Sequence, residues 1–127
     1  MTIESTDIAS FDWGVLHDAV LVSVTVSWEY GTADLVLNLP APPRRQLKIR
    51  TDGLSWLCCP REQPWGKSVH VNDVNVILPD AGQRGEIRIE MQSGDVLDIK
   101  ADRIGIEVLE IPMPHLEPGS SSQQERA

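Results

Sequence analysis

Between His17 and Leu39, apolar and polar residues alternate with period two in two runs joined by a tight turn. Val20, Val22, Val24, Val26 and Trp28 share one parity, and Leu21, Ser23, Thr25 and Ser27 the other, which predicts a strand with an unbroken apolar row on one face. After Glu29-Tyr30-Gly31-Thr32 the pattern repeats at Ala33, Leu35, Leu37 and Leu39. A helix would scatter these valines around its circumference, so the segment reads as a β-hairpin.

The flanking segments extend the pattern. Thr2 to Asp7 is a polar lead, and Ile8 to Gly14 is too short for more than a turn or two of helix; it reads as a loop or short helix that tucks Phe11 and Trp13 against the sheet. Pro40, Pro42 and Pro43 end the hairpin, because proline donates nothing to a ladder. Leu47 and Ile49 alternate with Lys48 and Arg50 in a third strand, which Thr51-Asp52-Gly53 is expected to turn. Leu54 to Cys59 is apolar on both parities except at Ser55, which predicts either a strand covered on both faces or an inner strand.

Val69 and Val71 share a parity that Val74 and Val76 reverse, so a bulge is expected at Asn72-Asp73. Ile87, Ile89 and Met91 form the next strand, and Ser93-Gly94-Asp95 turns it into Val96 to Lys100. A further turn at Ala101-Asp102 leads to Ile104, Ile106 and Val108. The expected fold is all-β: an antiparallel β-sandwich or flattened barrel of about eight strands, the sandwich being preferred. Residues 1–111 form the single domain, and 112–127, without period and nearly without apolar residues beyond Leu116, are expected to be a disordered tail.

Composition narrows the class. At 127 residues the chain supports one core. Its 41% apolar and 24% charged residues are ordinary for a globular domain. No run approaches the ~20 apolar residues of a membrane helix, and the N-terminus lacks the order of a secretory signal, so a cytoplasmic location is expected. Cys58 and Cys59 are adjacent and provide no disulfide framework.

The net charge of −8 opposes binding to nucleic acid. From Arg44 to Lys67, however, six bases face two acids, whereas the remainder holds five bases and seventeen acids. This basic island, with Arg44, Arg45, Lys48, Lys67 and the loop residue Trp65, is the expected partner-binding surface.

Chemistry is sparse. His17-Asp18 pairs an imidazole with a carboxylate, but neighbours in an extended segment point to opposite faces, so Asp18 is expected to serve a local turn or backbone hydrogen bond. A metal site would have to gather His17, His70 and Cys58 or Cys59 without any ligand-pair spacing, and no metal or cofactor is expected. The thiols read as packing residues.

His17-Asp18-Ala19 opening one strand, and Pro64-Trp65-Gly66 with Ser68 opening another, resemble a pattern in short uncharacterised bacterial proteins. Some such small families accompany toxin genes as immunity proteins. The resemblance implies an all-β bacterial protein and carries no residue role with it. The leading expectation is a non-catalytic protein-interaction module, with an immunity-like inhibitor of a partner as its narrower form. Its alternatives are a small-ligand or enzymatic sandwich using His17, His70 and Cys58 or Cys59, and a homodimer joined through an exposed strand edge; on the structural side, Trp65 also reads as closing the edge of the core and the basic island as charge alternating along solvated strand faces.

Overall fold

The structure is a computed structural model describing residues 2–6 by their backbone and 8–80 and 82–110 in full. The expected tail at 112–127 therefore lies outside the described residues. The chain is all-β and antiparallel. Its strands are β1 (Thr2–Thr6), β2 (Val20–Ser27), β3 (Thr32–Asn38), β4 (Arg45–Cys58), β5 (Val71–Ile77), β6 (Gly85–Met91) and β7 (Val96–Glu110), with a 3-10 helix at Trp13–Leu16.

All seven strands belong to one sheet, in the order β2-β3-β4-β7-β6-β5 with β1 beside β7. The two facing sheets and eight strands expected from the sequence are not what is found. Two pairs of expected strands are continuous. Thr51-Asp52-Gly53 does not turn the chain: β4 runs through it, with Gly53 at φ +66, where a Cβ would collide with the Asp102 side chain, and with a register shift against β7 between Leu54 and Trp56. Asp52 pairs with Arg103 and Leu54 with Ala101, so β7 likewise continues through Ala101-Asp102 and forms no hairpin there. The polar lead in turn supplies β1, which continues beyond β6 along the same side of β7.

The sheet carries one hydrophobic core. Leu35, Leu37, Leu47, Ile49, Ile87 and Ile99 are among its fully or almost fully buried side chains. Phe11 and Trp13, edge to face at 4.9 Å, pack on it as expected. Asp12 caps the 3-10 helix by accepting from Gly14 N. The bulge expected at Asn72-Asp73 is present, since the β5–β6 register shifts between Val71 and Asp73.

A bulge that the sequence did not suggest lies between Leu21 and Ser23 of β2. It breaks the apolar row predicted for Val20 to Trp28. Leu21 and Val24 pack on the core, while Val22 is turned out and Val26 and Trp28 are exposed.

The start of β2 also meets the segment leading into β5. Asp18 N donates to Val71 O, Val71 N to Ala19 O and Leu21 N to Val69 O, each at 2.8–2.9 Å. An isolated bridge joins Val20 to His70. The two ends of the strand path thus touch, among the described residues only over this short seam. Among the described residues no helix is long and apolar enough to cross a membrane.

Candidate functional site

The two pieces of the bacterial pattern converge on the β5 and β6 side of that seam. His17 Nδ1 lies 2.7 Å from Asn72 O, Ala19 is fully buried against Val71, and Asp18 Oδ1 accepts from Gln92 Nε2 at 2.5 Å. Asp18 sits at φ +70 and is not extended, which brings its Oδ2 to 3.7 Å from His17 Nε2. The expected separation of those two side chains is therefore corrected. The expected turn role of Asp18 agrees with its backbone.

Pro64-Trp65-Gly66 and Ser68 fold around the next turn. Asp95 is buried and accepts from the backbone N–H groups of Glu62 and Gln63, both at 2.9 Å. Burial alone would raise the pKa of Asp95, yet bonds from Gln63, Glu62, Ser68 and Ser93 outweigh it and hold the carboxyl below its ordinary value. Trp65 N donates to Ser93 O, and the rings of Trp65 and Pro64 lie over Gly94. This is the chemistry of a loop fastener. Every polar contact in it is explained by holding the 61–68 loop against the β6–β7 turn.

The residues expected to form a basic recognition surface are dispersed. Arg45 pairs with Glu110 at one end of β4 and β7, whereas Trp65 packs beside Gly94, just before the other end of β7. Lys48 lies 3.8 Å from Asp34, and Arg50 makes two bonds to the same carboxylate, which hold Asp34 below the ordinary carboxylate range. Part of the island is thus neutralised within the sheet. Arg44 and Lys67 are exposed.

His17 and His70 flank one seam, but neither lines the cavity that contains Cys59. Among the described residues no group of three His, Cys, Asp or Glu could hold a metal ion. Both thiols are exposed, and that of Cys59 is pushed up by partial burial and then by Cys58. A nucleophilic cysteine needs the opposite shift.

What the sequence reading missed is an apolar groove. Beyond Leu21, β2 has no strand partner on the side away from β3 among the described residues, and beyond Leu54 the same holds for β4 on the side away from β7. These two segments face one another. One cavity of about 280 Å³ has Leu21, Val22 and Val24 on one wall and Cys59, Pro60 and Arg61 on the other. A second, of about 330 Å³, sets Val26 and Trp28 opposite Leu54, Trp56 and Leu57.

Leu54 to Cys59 is therefore not covered on both faces, as its composition suggested. The signal was present as a strand apolar on both sides at a place where the structure offers no second layer. Trp28 is 91% exposed, Trp56 52% and Trp65 79%.

The fold is similar to that in a crystal structure of an uncharacterized protein from Neisseria gonorrhoeae, with a TM-score of 0.54 over 84% of this chain and 97% of that chain at 12% identity. At that identity the likeness concerns the fold. No protein-family model and no curated protein matches the chain.

Proposed function

We propose that the chain is a cytoplasmic, bacterial, non-catalytic protein-interaction module whose contact surface is the apolar groove between β2 and the second half of β4. One observation carries this reading: three of the four tryptophans are more than half exposed, and two of them, Trp28 and Trp56, line the same groove. Exposing such large apolar surfaces to water is unfavourable unless a partner covers them, and tryptophan is a preferred interface anchor. The three seam hydrogen bonds support a finer reading of the fold as a flattened barrel left open along the groove. Inhibition of a partner, as by an immunity protein, fits the same reading. Arg44, Arg45, Lys48 and Lys67 would then act at the rim, steering association more than holding the complex.

The test compares proteins retained from a bacterial lysate by wild type, by Trp28→Ser/Trp56→Ser and by Arg44→Glu/Arg45→Glu. The expected result is a retained protein lost only with the tryptophan pair, at unchanged melting temperature. Equal retention by wild type and the tryptophan variant overturns the reading.

A further inference from the structure

The groove has features of a strand-binding slot. Its walls run in opposite directions, because Leu21 to Val24 face Cys59 to Arg61 and Val26 to Trp28 face Leu54 to Leu57. Val22 to Val26 of β2 and Ser55 to Cys58 of β4 are strand segments paired on their far side only, so each turns unpaired backbone donors and acceptors toward the gap, and Cys59-Pro60-Arg61 continues the second wall beyond β4. Edge strands are ordinarily guarded by charge or proline. Yet residues 19–28 contain neither, in a chain with nineteen acids.

Charge is confined to one place. Of the residues lining the two cavities only Arg61 is charged, and among the described residues it has no ion-pair partner. A guanidinium alone at one end of an apolar slot selects a carboxylate at that end.

We infer that the groove takes an extended apolar segment of a partner protein, inserted antiparallel to β2 with a carboxylate at its C-terminal end on Arg61. The direction follows from the place of Arg61. A strand antiparallel to β2 enters beside Trp28 and finishes beside Val22, where Arg61 lies. A segment with both edges free bonds to both walls, which a second copy of β2, already paired with β3, does not. The inference rests on the groove being the interaction surface, and adds the conformation, direction and charge of what binds there.

The test selects a random dodecapeptide library with free C-termini on the full chain, and then titrates enriched peptides as synthetic acids and amides. Expected winners alternate β-branched or aromatic residues with polar ones and end in a carboxylate. Amidation of a peptide whose only carboxylate is its terminus, or Arg61→Gln, weakens binding about tenfold, the loss of one charge-assisted bond. N-methylation at either parity of the peptide also weakens binding, since both edges are bonded. Peptides that bind through Trp28 and Trp56 but ignore Arg61 and tolerate N-methylation overturn the strand inference and leave the interaction reading standing.

Peptides that bind the Trp28→Ser/Trp56→Ser variant equally well overturn both. Failure to enrich any peptide overturns the strand inference, while the lysate comparison still decides the broader reading. A synthetic peptide of residues 111–127 that displaces the winners would assign the slot to the chain's own tail. A dimer in sedimentation that the tryptophan variant abolishes would assign it to a second copy. Either result overturns the inference.

Discussion

Trp65→Ala distinguishes a tryptophan that closes the core from one displayed at the surface. Only about one fifth of the Trp65 side chain is covered. With ~250 Å² for a large aromatic, that is about 50 Å², or about 1 kcal/mol at ~25 cal/mol per Å². A core tryptophan would cost about 3 to 5 kcal/mol. The covered part rests on Gly94, where a Cβ would lie 2.7 Å from Trp65 Cε3 and 2.8 Å from Cζ3, at φ +96.

Gly94→Ala therefore combines a conformational cost of about 1–2 kcal/mol with a collision against the ring. The collision with the ring disappears when Trp65 is truncated, whereas the conformational cost and the 3.0 Å approach to Pro64 Cγ remain. Urea denaturation of both single variants and the double variant should show Gly94→Ala milder by about 1 kcal/mol in the Trp65→Ala background. A loss above ~3 kcal/mol for Trp65→Ala, or equal costs for Gly94→Ala in both backgrounds, would refute the described contact.

Other outcomes follow from the same structure. Because the Asp95 carboxyl is held below its ordinary value, its contribution to stability is fully present above about pH 4 and lost as pH falls through the lowered folded-state pKa. Asp95→Asn should lower stability near neutrality and flatten the acid limb of a melting-temperature profile; an unchanged limb contradicts that. Leu47→Ala, at a fully buried site, should cost about 2 to 5 kcal/mol by urea denaturation, and a neutral result would misplace the core. Far-ultraviolet circular dichroism should show a sheet-dominated spectrum, and a dominant helical signal would contradict the all-β fold.

The strands that were legible in the sequence are those whose two faces meet different surroundings. β3 and β6 alternate because Leu35, Leu37, Ile87 and Ile89 are buried between outward neighbours. The bulge in β5 was visible because the apolar parity itself reverses after Asn72. In β2 it was hidden: the valines keep one parity straight through the bulge, and the pattern does not record that Val22 has left the inner face.

In the sequence, Thr51-Asp52-Gly53 and Ala101-Asp102 have the residues of turns, because glycine and aspartate serve both turns and irregular strand positions. What distinguishes them is that β4 and β7 stay paired with each other through both sites, a property of neither sequence segment alone. For the groove, composition indicated apolar strand faces and could not say that no layer covers them. The basic island was visible as a run of bases, whereas its dispersal along β4 and partial neutralisation by Asp34 arise from cross-strand register.

The central claim is that the groove between β2 and the second half of β4 is where a partner binds. Amide hydrogen exchange on the full chain, alone and with the protein recovered from the lysate comparison, measures this directly. The account predicts that the amides of Val22 to Ser27 and Ser55 to Leu57 that face the groove exchange fast in the free chain and become protected in the complex. Protection confined to Arg44 through Lys48, with exchange along both groove walls unchanged, would contradict it.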